Sequence, residues 1–246
     1  RRMGVGVTAM ANALEVMGLP YATADYLSMQ DRVLEAIRNR AYKTSCDLAR
    51  EKGPFPLWDA GHYCEGEFFQ RLPDDLKFDI AKHGLRNGLL TSIAPTGTIS
   101  MAADNVSSGI EPVFALRQER PIYTPQGQQE FEIIDAAYNQ FGVRGKTVAE
   151  VTAQEHVEVL CRAQRYVDSS ISKTCNVNGQ IGGEGPGMTY NEFKSLYLQA
   201  WEGGAKGCTT FNTNGKRGAL LHAVEADDPG SACEYDPATG LRSCDV

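Results

Sequence analysis

Helical stretches alternate with short apolar runs along this chain, and that alternation restricts the fold more than any other feature. Helical spacing runs from residue 3 to about 18, where Val7, Met10, Ala11, Leu14 and Met17 recur at i, i+3, i+4 and i+7 and Pro20 ends the run. A longer helix is predicted over 23–52, with Met29, Val33, Ile37, Ala41 and Leu48 on one face and charges such as Asp31, Arg32 and Glu35 on the other. Gly53-Pro54-Phe55-Pro56 closes it, a glycine followed by prolines. Residues 57–88 read as an irregular excursion holding one short helix at 74–83. Leu89 to Ala94 read as a short buried strand that stops at Pro95-Thr96-Gly97-Thr98, with an apolar stretch over 99–103 behind it. Further helices are predicted over 129–141, 153–166 and 190–201, and further strands over 170–176 and 207–211. The pattern is that of an α/β architecture without internal repeats.

Charge and cysteine usage bound the function. The 24 basic and 31 acidic side chains give a net charge of −7, which argues against nucleic-acid polymers as partners, because phosphate-backbone binding needs clustered Lys and Arg. The apolar share of 42% fits a globular chain, and no apolar run approaches the length of a membrane span. The seven cysteines are scattered, with no CxxC pair and no Cys/His cluster at zinc spacing, so no metal site is expected. An odd count without a framework points to a reducing, cytoplasmic setting, in which the sequon Asn105-Val106-Ser107 is a chance match. His62, His83 and His156 lack partners in sequence and read as surface or satisfied core residues. The chain opens on Arg1-Arg2-Met3 and is expected to be the C-terminal part of a longer polypeptide. Two units are expected, a packed part over 1–221 and a mobile tail over 222–246, rich in Glu, Asp, Ala, Pro and Gly.

Two glycine-rich decoys can be set aside. Gly145-Lys146-Thr147 resembles the end of a P-loop, but Gln140 stands where its leading glycine is required. The run 182–187 lacks the spacing of a dinucleotide fingerprint. The informative segment is Ser92-Ile93-Ala94-Pro95-Thr96-Gly97-Thr98-Ile99-Ser100, where a strand ends and a helix begins among small hydroxylated residues. Amides at a helix start can hold an anion, Gly97 admits a phosphate close to the backbone, and Thr96, Thr98 and Ser100 add hydroxyl donors. Such a site needs no Lys or Arg. The same residues also fit a plain capped turn, with Thr or Ser as the N-cap.

Leu89-Leu90-Thr91-Ser92-Ile93-Ala94-Pro95-Thr96-Gly97-Thr98-Ile99-Ser100, followed by Asn105-Val106-Ser107-Ser108-Gly109-Ile110-Glu111-Pro112-Val113-Phe114, closely resembles the large catalytic chain of ribonucleotide reductases. Arg2-Met3-Gly4-Val5-Gly6-Val7, Tyr166-Val167-Asp168-Ser169-Ser170-Ile171-Ser172-Lys173-Thr174 and Ala205-Lys206-Gly207-Cys208-Thr209-Thr210 agree with it in the same order. The resemblance implies the C-terminal half of a ten-stranded α/β barrel with a flexible C-terminal tail. It also implies that Pro95, Thr96, Gly97, Thr98 and Ile99 hold the phosphates of a ribonucleoside di- or triphosphate. Family members that draw their radical from a separate subunit carry two tyrosines at the positions of Thr209 and Thr210. Threonine cannot relay a radical, and the wording here is similar to the adenosylcobalamin-dependent class instead. The alternatives are a reductase large subunit with a radical-generating partner, or a non-catalytic phosphate-binding α/β module.

The chemistry so implied is a thiyl radical that abstracts the ribose 3′-hydrogen, loss of the 2′-hydroxyl as water, and reduction by a cysteine pair. The Asn-x-Cys-x-Glu segment of the thiyl loop is absent from these 246 residues and in the family lies upstream, so this chain alone is expected to bind phosphate without turning over. No catalytic residue is therefore assigned within it. The family also implies that Cys233 and Cys244 form a redox tail re-reduced by thioredoxin or glutaredoxin, and that deoxynucleotide effectors act through the N-terminal part, with a homodimer possible. Cys46, Cys161, Cys175 and Cys208 are read as buried, and Glu111 as structural.

Overall fold

The computed structural model describes residues 1–124, 127–177 and 187–212, together with the two-residue strands 222–223, 234–235 and 242–243. Cys233, Cys244 and residues 182–186 lie outside the described residues. Helices and strands mix along the chain, and among the described residues two strand pairs are parallel and three antiparallel. Strand β1 (Arg2–Val5) opens it and leads into helix α1 (Met10–Val16). The helical reading of residues 3–9 is therefore corrected. Its physical reason is close approach: a Cβ on Gly6 would lie 2.1 Å from the Ser92 carbonyl oxygen and one on Gly4 2.5 Å from Ser92 Oγ. The segment is pressed flat against its neighbour, and a helix could not be.

Helix α2 (Ala24–Lys52) matches the long periodic stretch. Thr23 caps it by accepting from the Tyr26 amide at 3.3 Å, and Gly53 ends it at φ +75°, a conformation that favours glycine. The excursion after it holds three helices rather than one: α3 (Ala60–Cys64), α4 (Glu67–Gln70) and α5 (Asp74–His83). Strand β2 (Leu89–Thr91) runs parallel to β1 and precedes α6 (Gly97–Ala102). Strands β3 (Arg117–Thr124) and β4 (Gly127–Ile134) then form an antiparallel hairpin. The helix predicted from residue 129 begins only at α7 (Ala136–Phe141), where Asp135 caps the amides of Ala137 and Tyr138. Glu-Phe-Glu-Ile over 130–133 alternates polar and apolar residues with period two, a strand signal that the helical reading passed over.

Helix α8 (Ala153–Gln164), strand β5 (Thr174–Val177), helix α9 (Tyr190–Glu202) and strand β6 (Thr209–Asn212) complete the main body. Both helices start on a capping box, Thr152 with Glu155 and Thr189 with Glu192. The short strands β7 (His222–Ala223), β8 (Glu234–Tyr235) and β9 (Arg242–Ser243) follow; β7 pairs with β3, and β8 with β9. Strands β5 and β6 are parallel, and a parallel bridge between Ile93 and Ile171 joins them to the β1–β2 pair. Among the described residues no helix is long and apolar enough to cross a membrane.

Among the described residues three apolar clusters hold these layers. One joins α1, α2 and α8 around Ile93, Ile110 and Ile171; another packs Tyr42 and Cys46 of α2 on Phe69, Leu76, Ile80 and Leu90; the third seats α8 and α9 on Cys175 and Val177. Each fully buried Leu or Ile contributes about 1.5–3 kcal/mol. Between the clusters sits a polar knot. The Asp168 carboxylate accepts from the Leu90 amide at 2.7 Å, the Thr91 amide at 3.0 Å and the Tyr42 hydroxyl at 2.8 Å, tying β2, α2 and the approach to β5 together.

Candidate phosphate-binding site

The site is built where β2 gives way to α6. Pro95 stops the strand, and Thr96 turns the chain with φ +51°, a left-handed conformation that costs a non-glycine residue about 1–2 kcal/mol. Thr96 occupies the N-cap position, but its side chain does not cap the helix. Its hydroxyl instead accepts from the Gly109 amide at 2.8 Å and lies 2.9 Å from the Thr8 hydroxyl. The plain capped turn is thereby set aside. The first amide bonded within α6 is that of Ser100, which donates to the Thr96 carbonyl at 2.7 Å, so the amides of residues 97–99 precede the first intrahelical bond.

The loop is braced from behind. Ser107 donates its amide to Asn12 Oδ1 at 2.5 Å, and Asn12 Nδ2 donates to both carboxylate oxygens of Asp135 at 3.1 and 3.0 Å. Ser100 Oγ bonds the Gly97 carbonyl and reaches Ser108 Oγ, both at 3.0 Å. Ala9, Asp104 and Asn105, like Thr96, have positive φ without being glycine, as does Ala22 elsewhere, so among the described residues four of the five such positions lie at or beside this loop.

In front of it lies a cavity of about 440 Å³. Pro95, Gly97 and Ser100 form one wall; Thr174 and Asn176 of β5 with Thr209 and Thr210 of β6 form another. Of the five loop residues singled out in the sequence, the structure brings Pro95 and Gly97 onto the wall. Thr96 is half-buried behind it, and Thr98 and Ile99 are exposed on the first turn of α6. A Cβ added at Gly97 would meet nothing within 4 Å, so the space above that backbone is open. Among the described residues no lysine or arginine lines the cavity, so that an anion held by them would rest on amides and hydroxyls.

Glu111 borders the same cavity but is fully engaged. Its Oε2 accepts from the Lys173 ammonium at 2.5 Å and its Oε1 from the Thr174 amide at 2.6 Å, in keeping with a structural role. Lys173 is buried and spends its donors on Glu111, the Thr174 carbonyl at 3.0 Å and His156 Nδ1 at 2.7 Å. Burial, reinforced by the charges of Lys173 and Lys146, holds His156 down to about 3, so its ring is neutral and accepts at Nδ1. His156 is thus a partnered core residue. His83 is half-buried, and the exposed His62 sits 3.3 Å from Asp59. Sequence reasoning missed the Lys173 cluster; its one signal was a lysine placed just before a buried strand.

Comparison with known proteins bears on the site. The family model for the ribonucleotide reductase barrel domain matches residues 1–131 and 128–211. The chain is similar to the vitamin B12-dependent ribonucleoside-diphosphate reductase of Mycobacterium tuberculosis (strain CDC 1551 / Oshkosh), 28% identical over all of this chain and 36% of that protein. It is also 28% identical to the protein of the same description from Thermoplasma acidophilum, over 92% of this chain and 30% of that one. The ribonucleoside-diphosphate reductase subunit alpha of Treponema pallidum is 25% identical over 84% of this chain and 24% of its own length. The chain therefore spans about a third or less of these relatives.

Proposed function

The chain belongs to the ribonucleotide reductase family, through its barrel domain, and on that premise we propose that it forms the substrate-phosphate part of an enzyme converting ribonucleotides to 2′-deoxyribonucleotides. Strands β1, β2, β5 and β6 contribute to a ten-stranded α/β barrel, and residues 1–221 make up this chain's share of it. The loop Pro95, Thr96, Gly97, Thr98 and Ile99 takes the phosphates. The observation that carries this reading is the pairing of open space over Gly97 with amides 97–99 ahead of the first helical bond. The names of the relatives favour a diphosphate.

This chain binds and orients. Phosphates anchored at the loop place the ribose over Thr174 and Asn176 on the opposite wall, and the buried Lys173–Glu111 pair fixes β5 beneath them. In the reaction the 2′-hydroxyl leaves as water while two thiols, supplied by the rest of the protein, become a disulfide. The tail cysteines Cys233 and Cys244 return that disulfide to thiols by exchange and are recharged by thioredoxin or glutaredoxin. The protein is cytoplasmic and dimeric, and deoxynucleotide effectors act on its other segments.

Adenosylcobalamin supplies the initiating radical when bound. Thr209 and Thr210 on the cavity wall suit a cofactor that brings its own radical, since neither hydroxyl can relay one from a partner subunit. A 440 Å³ cavity matches a nucleotide and is too small for a corrin, so the lining residues fit the substrate and not the cofactor. Amide hydrogen exchange on the intact protein tests the reading. Adenosine diphosphate should slow exchange in residues 97–99 while adenosine leaves it unchanged; equal protection by both would overturn the assignment.

A further inference from the structure

Strand β5 alternates about its pleat. Thr174 and Asn176 face the cavity, whereas Cys175 and Val177 point to the other side and are buried against α8 and α9. Cys208 immediately precedes β6, whose Thr209 amide donates to the Lys173 carbonyl at 3.3 Å. This register brings Cys175 Sγ and Cys208 Sγ to 3.6 Å, across 33 positions of sequence. The pair belongs neither to the phosphate loop nor to the tail, and nothing in the proposed function uses it.

The two thiols differ. Cys175 is fully buried, while Cys208 is only half-buried. The two sulfurs share a hydrogen bond, and that contact, aided by the Lys173 charge, draws the Cys208 thiol down to about 7. The same partner, with burial, pushes Cys175 up. Burial raises Cys46, Cys64 and Cys161 as well, and Cys161 directs its thiol to the Ala200 carbonyl at 3.8 Å. The arrangement couples an ionisable, partly accessible sulfur to a protonated sulfur beside it.

We propose that Cys175 and Cys208 form a peroxide-responsive dithiol, closing to a disulfide that joins β5 to β6 behind the cavity wall. The Cys208 thiolate attacks one oxygen of hydrogen peroxide, the O–O bond breaks, and a sulfenic acid and hydroxide result. Cys175 sulfur then attacks Cys208 sulfur; the S–O bond breaks, the S–S bond forms, and the hydroxyl leaves as water with the Cys175 proton. The hydroxide takes up the proton that Cys208 released on ionising, so the two thiols lose two electrons and the peroxide becomes two waters. Closure requires the sulfurs to move from 3.6 Å to about 2.05 Å.

Trypsin makes the test unambiguous, because peptide 174–194 contains no cysteine but Cys175 and peptide 207–216 none but Cys208. The intact protein is exposed to hydrogen peroxide, blocked with iodoacetamide and digested without reductant. The expected product is 174–194 linked to 207–216, lighter than the sum by two hydrogens and released by dithiothreitol. In Cys175→Ser, dimedone should trap a sulfenic acid at Cys208; in Cys208→Ser it should label nothing at position 175. At neutral pH, iodoacetamide should modify Cys208 at least about tenfold faster than Cys161. Failure to find the linked peptide while Cys208 passes to sulfinic acid would overturn the proposal. So would dimedone labelling of Cys175 in Cys208→Ser at the rate seen for Cys208.

Discussion

Replacing Gly97 by valine separates binding from folding at the candidate phosphate loop. The backbone at Gly97 does not have the positive φ that would strain a side chain, and an added Cβ meets nothing within 4 Å. Valine is favoured over glycine in a helix by a few tenths of a kcal/mol, so the net effect on stability stays within roughly 0.5 kcal/mol. For a chain of this size that is a shift in Tm of about 2 °C or less. Binding should respond differently, because the new methyls fill the space through which a phosphate reaches amides 97–99. Losing two charge-assisted hydrogen bonds at about 1.5–3 kcal/mol each removes roughly 3–6 kcal/mol, or at least about a hundredfold in Kd. Calorimetric titration of the intact protein with adenosine diphosphate, beside a thermal melt, reads both quantities. A Kd within threefold of the parent with an unchanged melt would refute the loop assignment. A melt lowered by more than about 5 °C would refute the reading of open space.

Two further outcomes test the scaffold. Asp168→Ala leaves the Leu90 and Thr91 amides and the Tyr42 hydroxyl without their buried acceptor, and urea denaturation should report a loss of about 3–5 kcal/mol; a loss under 1 kcal/mol would mean the knot is dispensable. His156 is held at about 3 in the folded protein against 6.5 as its ordinary value. The unfolded chain therefore binds the extra proton between those values, and stability rises with pH from about 3 to 6.5 and then levels, by on the order of 4 kcal/mol at the limit. Glu15 and Asp135, raised by burial, act in the opposite sense at the acid end, so the difference between wild type and His156→Gln isolates the histidine. A difference that does not change over pH 4–6.5 would count against a neutral, lysine-paired ring.

Legibility followed the range of the contacts. Helices α2, α5, α8 and α9 were readable because their signals are local: Thr23 and Gly53 at the ends of α2, and the Thr152/Glu155 and Thr189/Glu192 boxes. Strand β1 was not, since Gly4 and the Gly6 that follows the strand answer to Ser92, nearly ninety residues away. The hairpin hid because the charges over 128–132 mimic an exposed helix face, although their period is two. At the candidate site, Pro95-Thr96-Gly97-Thr98 marked the end of a strand and the start of a helix, and β2 and α6 stand on either side of it. That Thr96 abandons its helix for Gly109 and Thr8 depends on partners 13 and 88 positions distant, which no local pattern encodes. Lys173 and His156 were opaque for a related reason: each looks like a lone polar residue until the fold brings the other within 2.7 Å.

The bracing of the loop has a thermodynamic consequence. Ala9, Thr96, Asp104 and Asn105 sit in unfavourable backbone wells beside the Asn12–Ser107 and Thr96–Gly109 bonds. The conformational entropy of the loop is lost during folding rather than on association, where ordering a mobile segment of similar length would cost several kcal/mol. On the proposed function, a phosphate would meet a preformed loop, its affinity set by fit and desolvation and its discrimination between phosphate geometries sharper than a pliant loop allows.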